Sequence, residues 1–274
     1  MRLTASQIIV AGVTALIAGC ATGPPAPRTV PVASTTPAAL RVQVLEVRPH
    51  DTTAFTQGFE LAGDVLYEST GLVGQSEMRA TDPSTGAVLR RVTVPSPYFA
   101  EGMTVVDSKV WQLTWMNGVA FQRDLATFSE TKQAAYTGEG WGLCHDTDQA
   151  GATRLVMSDG TDRITFRDPE TFEQTGEVRV TNGGEPVTNI NELECVGENT
   201  AYANIWLTDT IVRIDLASGR VTATVDASGL LSPEEGIGAD VLNGIAAIPG
   251  TDEFLITGKF WPKMFKVRFL PAGR

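Results

Sequence analysis

An internal repeat constrains this chain more than any other feature of it. Five strand-like openings recur at intervals of 44, 40, 50 and 52 residues: QGFEL from Gln57, EGMTV from Glu101, WGLCH from Trp141, NELEC from Asn191 and NGIAA from Asn243. Each is followed by a second strand-like run (VLYESTG, KVWQLTW, RLVMSDG, TAYANIW, EFLITGK) and by a third (EMRATDP, VAFQRDL, RITFRDP, TIVRIDL, KMFKVRF). Turn sequences such as DPSTG, DPETF and DLASG then lead into fourth strands such as AVLRRVTV and RVTATVDA. Four strands every 40–52 residues predict an all-β fold, a five-bladed β-propeller of four-stranded antiparallel blades. The last copy ends after KVRF without a fourth strand, while LRVQVLEVRPH, residues 40–50, stands before the first opening with no blade of its own. That N-terminal strand is expected to close the ring by joining the last blade. Helical periodicity is weak, and a β-sandwich does not account for the fivefold register.

The register groups side chains. In an antiparallel pair the start of one strand lies beside the end of the next. The openings Gln57, Glu101, Trp141, Asn191 and Asn243 therefore share one channel end with the second-strand endings Gly71, Trp115, Gly160, Trp206 and Lys259. This set holds three of the five tryptophans, three amides, one acid, one amine and two glycines. Aromatic walls with a few convergent polar groups make a small-molecule pocket. Glu101 is the one acid of the set, and aromatic neighbours desolvate a carboxylate, raise its pKa and suit it to proton transfer. Lys259 opposes that shift if it lies close. Glu192 and Glu194 are rival acids, expected to point away from Asn191 on a regular strand. Trp111, inside its strand, is expected to pack between blades.

The N-terminus reads as a separate region. Residues 1–19 carry one early Arg and an apolar run ending Ile17-Ala18-Gly19, followed by Cys20. This is the pattern of a lipoprotein-type signal peptide, with cleavage before Cys20 and lipid on its sulfur. Residues 20–38 then form a lipidated Cys and a tether, with five prolines between 21 and 38, leaving 39–274 as the propeller domain. The expected location is the periplasmic face of a bacterial envelope membrane, the outer one, with membrane contact only through the lipid. A net charge of −11 argues against nucleic acid as a partner. Nothing resembles a dimer seam, so a monomer is expected. Cys144 and Cys195 can form a disulfide in an exported domain or serve as two small core residues. Their register positions are successive rather than equivalent, which weighs slightly against a bond. Two histidines and no ligand spacing argue against a metal.

The motifs FTQGFE (55–60), FAEGMT (99–104), VWQLTW (110–115), GWGLCHD (140–146), NELE (191–194), YANIW (202–206), DVLNGIA (240–246) and TGKFWPKMFKV (257–267) together resemble the plant and bacterial type of glutaminyl-peptide cyclotransferase. The resemblance covers essentially everything after the tether, in order. It implies a five-bladed propeller that converts N-terminal glutamine of peptides or proteins to pyroglutamate with release of ammonia, without metal or other cofactor. It places Glu101 at the family's catalytic acid/base. It places Phe55, Gln57, Phe99, Trp115, Trp141, Asn191, Trp206 and Lys259 at substrate-binding positions, of which only Phe55 and Phe99 fall outside the ten from the repeat. The competing reading is a non-catalytic, envelope-tethered propeller that binds a peptide or small molecule in the same pocket.

Overall fold

The structure is a computed structural model, and it describes residues 36–148 and 150–273. The expected signal peptide, Cys20 and nearly all of the tether lie outside the described residues. Contacts define a compact unit over Thr35–Arg274. Among the described residues there are 22 strands and no helix.

The first strand, β1 (Ala38–Pro49), precedes the repeats. The first repeat is an antiparallel sheet of β2 (Thr56–Ala62), β3 (Val65–Thr70), β4 (Glu77–Thr81) and β5 (Val88–Thr93). The second comprises β6 (Ala100–Val106), β7 (Lys109–Thr114), β8 (Val119–Asp124) and β9 (Glu130–Ala135). The third comprises β10 (Leu143–Thr147), β11 (Thr153–Ser158), β12 (Arg163–Arg167) and β13 (Gln174–Arg179). A short hairpin, β14 (Thr181–Asn182) and β15 (Glu185–Pro186), follows. The fourth repeat supplies β16 (Ile190–Cys195), β17 (Thr200–Ile205), β18 (Thr210–Asp215) and β19 (Arg220–Asp226). The fifth supplies β20 (Leu242–Ala247), β21 (Glu253–Gly258) and β22 (Lys263–Pro271).

The first strands are buried almost throughout and contact one another in the cyclic order β2, β6, β10, β16, β20 and back to β2. Fourth strands such as β5 and β9 are largely exposed. Between successive repeats lie apolar layers. One joins Tyr67 and Met78 to Met103 and Val110, and the next joins Trp111 and Leu113 to Leu143, Leu155 and Phe172. Trp111 thus packs between sheets, as its position within a strand suggested. The last layer returns from Ala246, Leu255 and Met264 to Phe59 and Leu66. The arrangement is propeller-like.

The motif x-Gly-x at the openings has a steric cause, because the first strands crowd together. A Cβ on Gly58 would stand 2.6 Å from Met103 N, one on Gly102 2.5 Å from Leu143 N, and one on Gly142 2.1 Å from Asn191 O. The fourth repeat departs from this with Glu192 at the glycine position. Its carboxylate is buried and accepts from the backbone N–H of Phe59 (3.2 Å) and of Ile245 (2.9 Å), tying β16 to two other first strands, β2 and β20.

β1 behaves as the expected outer strand. It runs antiparallel to β22 from Leu40↔Pro271 to Pro49↔Lys263, and it is largely exposed like other outer strands. It also pairs in parallel with β19 over Ala38–Arg41, which merges the fourth and fifth repeats into one continuous sheet; the register did not foresee this contact. Just past β1, His50 Nε2 meets Glu68 Oε1 at 3.1 Å, and Arg79 bridges Glu68 and Asp51. His50 Nδ1 also lies 2.8 Å from the Trp261 carbonyl. The first repeat is thereby pinned to the end of the chain.

The cysteines require a correction: Cys144 and Cys195 are joined by a disulfide. The successive register that weighed against it is the arrangement that brings them together. Neighbouring first strands are staggered by one residue, so the third position after an opening meets the fourth position after the next. Glu60 accepts from Val105 N, Thr104 bonds His145, Cys144 bonds Cys195, and Glu194 accepts from Ala247 N.

Candidate active site

The N-terminal ends of the first strands open into a cavity of about 350 Å³ lined by all nine residues singled out from sequence. Phe55 and Phe99 precede β2 and β6, Gln57 and Glu101 lie on those strands, and Trp141 precedes β10. Asn191 is on β16, Trp115 and Trp206 follow β7 and β17, and Lys259 follows β21. Asn243, at the fifth opening, is buried beside the cavity and donates to Thr56 O (2.9 Å) and Gln57 Oε1 (3.3 Å). Gly71 and Gly160 leave no empty space. A Cβ on Gly71 would strike the Phe99 ring at 2.4 Å, and one on Gly160 would strike Trp141 at 2.7 Å. The two glycines let those rings seat against the strand ends.

The aromatic groups form two runs. Phe260, Phe55, Phe99 and Trp115 contact edge to face in sequence, with centroids 5.1, 6.0 and 5.7 Å apart. Trp141 and Trp206 pack in a T at 5.5 Å. Such pairs hold ring orientation as well as bury surface.

Glu101 is buried, and its Oε1 accepts from Gln57 Nε2 at 2.9 Å. Ser69 Oγ donates to the Glu101 backbone carbonyl, which anchors the start of β6 from the preceding sheet. Oε2 of Glu101 has no protein donor among the described residues. Burial raises the Glu101 pKa well above the ordinary carboxylate value; Lys259 opposes the shift and Glu139 adds to it. Lys259 is itself pushed down by burial, with Glu101 and Asp240 acting against that. Its Nζ sits 4.7 Å from the centroid of the Phe55 ring and forms no ion pair within 4.0 Å among the described residues. The lysine therefore tempers the Glu101 proton affinity without cancelling it.

Asn191 Oδ1 is buried without a hydrogen-bond partner. An orphaned acceptor in a cavity wall is costly unless a ligand satisfies it. The rival acids lie elsewhere. Glu192 and Glu194 are buried, engaged by backbone N–H groups of β2 and β20, and raised in pKa by desolvation; neither lines this cavity. At the far ends of the first strands is a larger hollow of about 520 Å³, lined by Glu60, His145, Glu194 and the disulfide. It has no Phe, Tyr or Trp in its wall, and of its buried acids, Glu60 and Glu194 are held by strand amides and Asp146 by Arg154.

Sequence reasoning missed Glu139, Leu207, Asp240 and Phe260. Asp240 adds a second, exposed carboxylate to the lining, so Glu101 is not its only acid. Glu139 stands two residues before the Trp141 opening, as Phe55 and Phe99 stand two before theirs; extending the repeat to that position finds it. Leu207 and Phe260 each follow a second-strand ending by one residue, with left-handed φ of 65° and 61°. That backbone strain is invisible in sequence.

Fold and site together define a propeller-like protein with an aromatic-walled cavity built around one buried carboxylate. The glutamine cyclotransferase family model matches residues 13–269, and the chain belongs to that family. It is 37% identical over 239 residues to the glutaminyl-peptide cyclotransferase of Arabidopsis thaliana, covering 85% of this chain and 72% of the plant protein. The crystal structure of Myxococcus xanthus glutaminyl cyclase superposes with a TM-score of 0.76 at 35% identity, covering 86% of this chain and all of that one.

Proposed function

We propose that this protein is a glutaminyl-peptide cyclotransferase that cyclises N-terminal glutamine of peptides or proteins to pyroglutamate and releases ammonia. The observation that carries the reading is Glu101: one buried carboxylate with a free oxygen, inside an aromatic cavity of about 350 Å³, in a chain of this family. In the reaction the substrate's α-amine nitrogen bonds to its own side-chain carboxamide carbon. The bond from that carbon to the amide nitrogen breaks, and the nitrogen leaves as ammonia.

Attack is intramolecular, so much of the catalysis lies in holding the side chain folded back on the amine. Phe55, Phe99, Trp115, Trp141 and Trp206 provide walls that suit an uncharged glutamine side chain and exclude water. Asn191 Oδ1 is an acceptor for a substrate N–H. Glu101, as carboxylate, takes a proton from the attacking amine and, once protonated, gives it to the departing nitrogen. Such general acid/base help contributes about 10²–10⁴ in rate. Gln57 is occupied at both ends, donating to Glu101 and accepting from Asn243, so it orients the carboxylate. Lys259, with no carboxylate bound to its Nζ among the described residues, is the donor best placed to stabilise the developing oxyanion.

Three further parts of the proposal rest on sequence pattern and topology. The five repeats are read as five blades, the fifth completed by β1. Residues 1–19 are read as a lipoprotein-type signal, with Cys20 lipidated and the domain held at the periplasmic face of the envelope. The working form is read as a monomer. No described helix is long and apolar enough to cross a membrane.

The decisive assay is ammonia release from a short Gln-initiated peptide by the purified chain, with product mass confirming pyroglutamate. Peptide binding without ammonia release would leave only the binding-protein reading.

A further inference from the structure

We propose that Glu139 is a positioning residue of this site, clamping two walls of the substrate cavity to each other. One oxygen, Oε2, accepts the indole N–H of Trp115 at 2.7 Å and that of Trp141 at 2.9 Å. The two indoles come from different sheets, Trp115 from the end of β7 and Trp141 from the approach to β10. Among the described residues no ring contact joins them. The aromatic run from Phe260 through Phe55 and Phe99 ends at Trp115, and the Trp141–Trp206 pair stands apart from it. The carboxylate of Glu139 makes the two into one continuous wall.

The segment carrying Glu139 is fixed for the task. Gly140 N donates to Trp115 O (2.9 Å), and Trp141 N donates to Ser158 O (3.1 Å). A Cβ on Gly140 would lie 2.3 Å from the Tyr136 hydroxyl, so only glycine lets the chain pass there and present Glu139 between the rings. Charged acceptors make stronger hydrogen bonds than neutral ones, and one oxygen serving two donors sets both ring planes. The third tryptophan is treated differently. Trp206 has no hydrogen bond to its indole N–H among the described residues and is held by packing against Trp141. Two walls are clamped and the third is left able to adjust to the substrate.

This inference rests on the proposed cyclisation and predicts how Glu139 serves it. Full-length Glu139→Ala and Glu139→Gln are compared with wild type on a Gln-initiated peptide. The Ala variant is expected to lose about 10–100-fold in kcat/KM, mostly through KM, since small misplacement of positioning groups costs rate on that scale. Its near-UV circular dichroism changes, while its Tm stays near wild type. The Gln variant keeps a carbonyl oxygen for the indoles and is expected to recover most of the KM and the spectrum. Both variants lack the negative charge near Glu101, so the acid limb of kcat/KM moves to lower pH in both. Wild-type kcat/KM in the Ala variant, or equal KM losses in Ala and Gln, overturns the proposal. Should wild type release no ammonia, the cyclisation reading falls, and the spectra still decide the clamp: an unchanged spectrum in Glu139→Ala overturns it.

Discussion

At the residue scale the site turns on one carboxylate held in a setting that penalises its charge. The folded-state pKa of Glu101 is raised, so the folded protein binds its proton more tightly than the unfolded chain does. Stability from this group is present below the ordinary carboxylate pKa and is lost as pH rises through the folded value. Glu101→Gln is therefore expected to abolish ammonia release and to leave Tm at pH 8 equal to or above wild type; near wild-type turnover would remove Glu101 from the chemistry. The acid limb of wild-type kcat/KM should lie well above pH 4.5, because the base form must be present for attack. Trp206→Ala is expected to raise KM with a smaller effect on kcat. A large kcat loss at unchanged KM, measured at saturating peptide, would contradict a wall role. Glu101 was legible in sequence because the repeat placed it among tryptophans. Its hydrogen bond to Gln57 and its balance with Lys259 were not, since both are distances between repeats.

At the scale of elements, one turn recurs between third and fourth strands. Asp82, Asp124, Asp168 and Asp215 accept from backbone N–H groups two to three residues on, through a side-chain oxygen. Four residues past each Asp the chain takes a left-handed φ: Gly86 (70°), Phe128 (60°), Phe172 (67°) and Gly219 (71°). Glycine is the expected occupant, and the phenylalanines accept the strain because their rings are buried between sheets. Phe172→Gly should relieve about 1 kcal/mol of backbone strain and lose about 3–5 kcal/mol of packing, a net fall in stability measurable by denaturant unfolding. A more stable variant would show that strain outweighs burial there. The Cys144–Cys195 bond closes a sequence separation of 51 residues at the strand ends away from the cavity. Replacing both cysteines with alanine should cost about 2–4 kcal/mol of stability while kcat stays near wild type. The turns were legible from their Asp, Pro and Gly; the disulfide stayed open because sequence register does not reveal the stagger between neighbouring strands.

For the whole molecule, ring closure and buried acids set the response to conditions. Burial raises the pKa of Glu60 to about 7 and lifts Glu192 and Glu194 as well. Groups raised in the fold stabilise it at low pH and lose that contribution as pH climbs through their folded values. The buried His50, raised overall by its Glu68 partner despite desolvation, acts in the same direction. Tm is therefore expected to fall as pH rises from about 4.5 through about 7, and Glu60→Gln should flatten the fall over that range; an identical slope in the variant would discount Glu60. His145, lowered by burial, works the other way.

The sequence by itself determined the number of repeats, the order of strands within each, and most of the polar and tryptophan side chains that share one cavity. These follow from strand periodicity and turn chemistry, which act over a few residues and repeat. Only the tertiary structure decided how repeats meet: the one-residue stagger that joins Cys144 to Cys195, and the parallel contact of β1 with β19. It also decided the placement of Glu139 between two indoles. Those depend on the closeness of strands far apart in the chain, which packing around the shared axis sets and no local pattern encodes.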